Sequence, residues 1–252
     1  MKAPRYLSAA FFPARCCVCG RVLKPGGHLC EACLPLRLPL AGGSARCPVC
    51  AMPVKDCVCG DRLWFSTLTF PFLYDGAVRA AVGRMKFRHG TDLFAPFAEE
   101  MAAALRRRGL TGADGVCFVP MQPLRRWRRG YNQAEELAKA LGKELGLPVL
   151  PLLKKTGGAR VQHTLSGPER RANLLGSYEV PPERERDVPG KRLLLTDDVA
   201  TTCSTLNEAA KTLLIFGAAR VDCVCVSARP RLIKKNGAPP RSEAANGGAD
   251  TQ

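Results

Sequence analysis

The chain has 252 residues, 46% hydrophobic and 24% charged, enough for one full core with a small second module. A net charge of +16 and a pI of about 9.6 invite a polyanion such as nucleic acid or a phosphorylated ligand. No run is long and apolar enough to span a membrane, and the opening MKAPRYLSAAFFPARCC leads into no small-residue cleavage site, so neither membrane insertion nor secretion is expected, and a cytoplasmic location is.

Nine of the 13 cysteines precede residue 60. Cys16 and Cys19, Cys30 and Cys33, and Cys47 and Cys50 are spaced as knuckles, and Cys57 and Cys59 form a tighter pair. Two thiolates two residues apart grip one face of a tetrahedral ion, so these eight residues predict two closed, structural zinc sites. A disulfide framework would need an oxidising compartment, for which the chain shows no export signal. Cys17 is the spare or a substitute, and His28 reads as a loop residue. Residues 1–62 are thus expected to be a double zinc ribbon that needs its metal to hold together.

After Cys59 the texture changes. Residues 67–75 read as one or two strands with a turn. Residues 76–88 carry Val78, Val82, Met85 and Phe87 at helical spacing, and residues 92–108 carry Leu93, Phe97, Met101 and Leu105 before a stop at Gly109. Residues 116–120 are a short buried strand. Arg125, Arg126, Arg128 and Arg129 then crowd around Trp127. Asn132 and Glu135 make a capping box for a helix that ends at Gly146. Residues 149–153 form a strand, 154–180 are irregular, 191–196 a strand, 204–216 a helix and 221–227 a strand. The tail from 231 to 252 lacks core residues and is expected to be disordered. Alternating strands and helices imply an α/β domain with a mostly parallel sheet over residues 63–230, its ligands beyond the carboxyl ends of the strands.

The most informative stretch is LLLTDDVATTCSTL, residues 193–206. A buried strand runs into Asp197 and Asp198, then into a loop entering a helix. Unpaired N–H groups at that helix start suit an anion, and the hydroxyls of Thr201, Thr202, Ser204 and Thr205 add donors. The aspartates have the wrong sign for phosphate. They suit a sugar's vicinal hydroxyls or a magnesium ion beside it. A cap alone needs only one of them.

This stretch resembles the signature by which type I phosphoribosyltransferases bind 5-phosphoribosyl 1-pyrophosphate (PRPP). With the cysteine knuckles in front, residues 16–229 resemble the ComF family of competence-associated, amidophosphoribosyltransferase-like proteins. LYDGAVRAAVGRMKFRH (73–89), VPMQPLRRWRRGYNQAEELA (119–138) and QHTLSGPERRANLLGSYEV (162–180) fit the same family. The resemblance implies a type I phosphoribosyltransferase fold that binds PRPP with Mg2+ and transfers phosphoribosyl to a nitrogen nucleophile, releasing pyrophosphate. Asp197 and Asp198 would take the ribose hydroxyls, and the run Val199, Ala200, Thr201, Thr202, Cys203, Ser204 and Thr205 would carry the 5-phosphate. Arg125, Arg126 and Arg128 would face pyrophosphate. Gln162, Arg170, Arg171 and Asn173 would lie on the segment closing over the ligand. The family usually has glycine where Cys203 stands, and cysteine is tolerated there if φ is negative. The alternative is a non-catalytic zinc-ribbon protein that serves DNA uptake as a scaffold or binds single-stranded DNA, neutralising phosphates and stacking bases on Trp127 or Tyr131.

Overall fold

The computed structural model describes residues 14–24, 26–39, 46–57, 59, 63–156 and 176–229. Its centre is a parallel sheet. Strands β1 (Thr67–Thr69) and β2 (Phe72–Leu73), separated by Phe70 and Pro71, both pair with the carboxyl-terminal strand. Strand β3 (Gly115–Phe118) lies at the other side. A two-stranded antiparallel ladder, β4 (Lys154–Lys155) with β5 (Tyr178–Glu179), stands apart from the main sheet. The central strands are β6 (Arg192–Ala200) and β7 (Arg220–Ala228), giving the order β1, β7, β6, β3. Their cores are near-continuous apolar runs, as expected of strands covered on both faces.

Helix α1 (Gly76–Met85) buries Val78, Ala81, Val82 and Met85, and stops before Phe87, which is therefore 70% exposed rather than part of the stripe. Helix α2 (Phe94–Arg107) buries Phe94, Phe97, Met101 and Leu105 and ends at Gly109, whose φ of +67° suits glycine. The arginine-rich run forms a short helix, α3 (Pro123–Arg129), with proline in its first turn and Gly130 as a left-handed cap. Helix α4 (Gln133–Leu145) starts where the Asn132 side chain accepts from Ala134 N at 3.2 Å. The second half of the expected capping box is diverted: the Glu135 carboxylate pairs with Arg126 and Lys139 instead. Helix α5 (Ser204–Ile215) buries Leu206, Ala209, Ala210 and Leu213.

Three strand expectations change: residues 154–180, read as irregular, carry β4 and β5 at their two ends. Residues 149–153 contribute only a single parallel bridge, Val149 to Val116. Pro148 and Pro151 lack the N–H groups that a longer ladder needs. The strand expected to end at 196 runs on to Ala200, paired with β7 through Ala228. Both aspartates are therefore strand residues, and the loop shrinks to three residues, 201–203.

The cysteine turns share one continuous apolar core with the sheet. Leu68 N donates to Val49 O at 2.9 Å, and Arg108 donates to Leu68 O, Thr69 Oγ1 and Val49 O. Glu100, fully buried on α2, accepts from His28 Nε2 at 2.6 Å and from Arg37 Nε at 2.7 Å. His28, read as a loop residue, is thus part of the dock. Burial raises the Glu100 carboxyl, and the bonds from His28 and Arg37 outweigh it, so the group ends below its usual value. The expected tail and the 1–13 segment lie outside the described residues.

Candidate functional site

Asp197, paired with Cys225, and Asp198 after it lie near the end of β6, at the carboxyl end of the sheet. Asp198 N donates to Asp197 Oδ1 at 2.8 Å. The Asp198 carboxylate faces Lys86 Nζ at 3.3 Å, across from the end of α1. Desolvation and then the Asp198 charge push Asp197 up to about 8, although the Asp198 N–H, Lys86 and Lys155 favour the carboxylate. Lys155 comes from β4, and its partner strand brings the buried Tyr178 beneath it, 5.4 Å from ring centroid to Nζ.

Beyond the aspartates, Val199 is half-buried and Ala200 buried, while Thr201, Thr202, Ser204 and Thr205 are exposed around the start of α5. Thr202 Oγ1 and Ser204 Oγ are 2.6 Å apart, so one hydroxyl donates to the other. Cys203 is the N-cap of α5, with φ +61° and no side-chain cap bond. The negative φ that would let a cysteine sit here without strain is not found. The backbone keeps the left-handed turn that glycine takes freely, and the Cβ makes it cost about 1–2 kcal/mol.

A cleft of about 400 Å³ opens beside this end of the sheet, lined by Lys86, Phe87, Arg125, Arg128 and Arg129. Of the arginines expected there, Arg125 and Arg128 line it. Arg126 does not: it faces Glu135 at 3.2 Å. Arg129 takes its place, a consequence of the run being helical, since positions three and four apart share a face. Trp127 stands 82% exposed on the same helix, with Leu124 62% exposed, so Trp127 is not a packing residue. Gln162, Arg170, Arg171 and Asn173 lie outside the described residues.

Sequence reasoning gave no role to Lys86. Its signal was the Lys86-Phe87 pair near the end of the segment 73–89. The Tyr131 hydroxyl, beyond any stacking role, lies 2.8 Å from Met85 O and 2.7 Å from Phe87 O, clamping the turn that carries Lys86.

The eight knuckle cysteines form two groups, Cys16, Cys19, Cys30 and Cys33, and Cys47, Cys50, Cys57 and Cys59, the sulfurs of each lying within 4.8 Å of one another. Sulfur pairs stand at 3.6 Å for Cys19 and Cys30, 3.7 Å for Cys50 and Cys57 and 3.9 Å for Cys47 and Cys59. A tetrahedral ion with bonds of about 2.3 Å has ligands about 3.8 Å apart, so either group could hold zinc. A disulfide, at about 2.05 Å, does not fit. Cys17 is buried outside both groups, and its burial drives the thiol well above the ordinary range.

The phosphoribosyl transferase domain family matches residues 127–242, which include the aspartates and the hydroxyl loop. The chain is 30% identical over 216 residues to the DNA utilization protein YhgH of Salmonella typhimurium, covering 84% of this chain and 88% of that protein. It is 37% identical to competence protein F of Haemophilus influenzae over 45% of this chain and 50% of that one. Competence protein ComFC of Bacillus subtilis is 23% identical over 79% of this chain and 82% of its own length. Among the described residues no helix is long and apolar enough to cross a membrane.

Proposed function

Since the chain belongs to the ComF family, matching a relative over 84% of its own length, we propose that it binds PRPP and Mg2+ at the carboxyl end of β6. There it transfers the phosphoribosyl group to a nitrogen nucleophile and releases pyrophosphate. The observation that carries this reading is a continuous track. Asp197 and Asp198 adjoin the exposed hydroxyls at the start of α5, and Lys86 joins Asp198 to the arginine cleft.

Each part suits one part of PRPP. The ribose hydroxyls bond to the two aspartates, of which Asp197, raised to about 8 in the unliganded chain, would ionise fully when a cation is bound beside it. Thr201, Thr202, Ser204 and Thr205, with the amides of the α5 start, hold the 5-phosphate. Loss of pyrophosphate leaves positive charge on the sugar and negative charge on the leaving group. The aspartates face the first, while Lys86, Arg125, Arg128 and Arg129 oppose the second. Carboxylate oxygens are donors that Mg2+ accepts, and the ion when bound supplies further positive charge to the leaving group. Zinc in both cysteine groups is structural, since neither leaves an open ligand position.

The test is thermal denaturation of zinc-loaded protein with PRPP, with and without Mg2+. Ligand at about 100 times Kd adds about 2.7 kcal/mol to the native state, so a Mg2+-dependent rise in Tm is expected. No rise at saturating PRPP overturns the reading.

One observation favours a second reading. Trp127 is 82% exposed among arginines, the pairing that stacks bases and neutralises phosphates of a single strand. The relatives' names, DNA utilization and competence, point the same way. This face then binds single-stranded DNA in DNA uptake, beside or instead of catalysis.

A further inference from the structure

Lys86 is the cation that joins the aspartates to the arginine cleft, and the backbone on either side of it is held by other parts of the fold. On one side, Arg84 Nη2 donates to Val18 O at 2.8 Å. Val18 is fully buried in the turn between Cys16 and Cys19, closed by Gly20 N donating to Cys16 O at 2.8 Å. On the other, Tyr131 clamps the Met85 and Phe87 carbonyls. Gly90 passes so close over this turn that a Cβ there would collide with Arg84 O. The turn from Arg84 to Gly90 therefore has little freedom, and its third support is the cysteine turn itself.

We propose that the first cysteine group, when it holds its metal, supports the anion cleft, with Arg84 as the positioning residue that carries its effect to Lys86. The direction of the Val18 carbonyl depends on the closed turn from Cys16 to Cys19. A metal bridging those two thiolates fixes that turn. Without it, the Val18 carbonyl loses its orientation, Arg84 loses its acceptor, and Lys86 loses its place against Asp198. The ribbon is then a working part of the site rather than an appendage. The arrangement concerns the protein alone and stands whether or not the ligand is PRPP.

The test uses unliganded, full-length, zinc-loaded protein and measures acylation of each lysine by peptide mass spectrometry under limiting reagent. Lys86 is paired with Asp198, and Lys139, paired with Glu135 and Glu136, is the internal control. Arg84→Ala is expected to keep its zinc by elemental analysis and to acylate Lys86 about two- to threefold faster, the size set by a partly exposed ion pair. Lys139 is expected to stay unchanged. Cys19→Ser, which empties the first group and leaves the second, gives the same change, and Arg84→Lys, still a donor, restores part of the protection. An unchanged Lys86 rate in Arg84→Ala overturns the proposal. So does an equal rise at Lys139, which marks general loosening. PRPP affinity measured on the same variants bears separately on the proposed function.

Discussion

Gly20 and Ala51 hold the same place in two copies of one turn. Gly20 N donates to Cys16 O and Ala51 N to Cys47 O, each at 2.8 Å. Arg15 reaches the Gly20 carbonyl as Arg46 reaches that of Ala51, and the bridges Arg15 to Val22 and Arg46 to Pro53 close both turns. Both residues have positive φ, +77° and +57°, and only one is glycine. Ala51 thus carries the left-handed penalty of about 1–2 kcal/mol. Part of what Ala51→Gly relieves is offset by the larger chain entropy of glycine when unfolded. The net gain should be about 0.5 kcal/mol, a rise in Tm of about 1–2 °C by calorimetry with zinc content unchanged. Gly20→Ala should move Tm the other way.

The same argument applies at Cys203, with a functional consequence. Its φ of +61° sits at the loop that faces the proposed 5-phosphate. Cys203→Gly removes the strain and lets the backbone approach a phosphate more closely. Because the unliganded chain already holds the positive φ, that relief should raise Tm by about 2–4 °C, and PRPP binding by calorimetry should tighten only through the closer approach. Cys203→Val, β-branched and less tolerant of positive φ, should weaken binding by about tenfold.

The parts legible in the sequence were those fixed by local chemistry. Cysteine spacing marked both four-cysteine groups, because ligands for one tetrahedral ion must be set at short fixed spacings whatever surrounds them. Asn132, Gly109 and Gly146 marked helix ends, because caps and left-handed turns are chosen by one residue. The doubled aspartate located the end of β6 to within a few residues. What spacing missed depended on packing. Asp197 and Asp198 stay in the strand because β7 runs alongside through Ala228. Arg126 leaves the cleft because a helix turns it toward Glu135. The bonds from Arg84 to Val18 and from Tyr131 to Met85 and Phe87, on either side of Lys86, join segments far apart in the chain, which no local pattern announces.

Asp197 should make the unliganded protein less stable as pH rises. Its carboxyl is pushed up to about 8 in the folded chain, from 3.8, by desolvation and Asp198. A folded state that binds the proton more tightly loses stability as pH climbs from about 4 through about 8. Asp197→Asn cannot titrate, so its Tm advantage over wild type should be small near pH 4, grow through that window and level off above it. The same variant, combined with Asp198→Asn, should lose PRPP binding while keeping two zinc ions. A Tm difference independent of pH would show that Asp197 is not held protonated.

The arginines of α3 should separate by direction rather than by charge. Arg128 lines the cleft, and a charge-assisted bond to a phosphate contributes about 1.5–3 kcal/mol, so Arg128→Ala should weaken pyrophosphate binding by at least about tenfold. Arg126→Ala removes a partly exposed pair with Glu135 that lies away from the cleft, and should leave pyrophosphate affinity within about twofold. Competition of pyrophosphate against PRPP measures both. Equal losses would mean that net charge near the cleft, not its geometry, sets affinity.

Trp127 distinguishes the two functional readings because it is exposed on the helix whose arginines line the cleft, yet does not itself line it. Stacking of a base on an aromatic face contributes about 1–3 kcal/mol. If the face binds single-stranded DNA, Trp127→Ala should weaken an oligothymidine by about five- to 100-fold while PRPP affinity holds. That binding should also fall steeply with salt, since each neutralised phosphate releases counterions. PRPP binding rests on a few fixed contacts and should depend chiefly on Mg2+ and on Asp197 and Asp198. An oligonucleotide that binds wild type and Trp127→Ala equally would place nucleic acid elsewhere on the chain, and the arginines of α3 would then serve pyrophosphate alone.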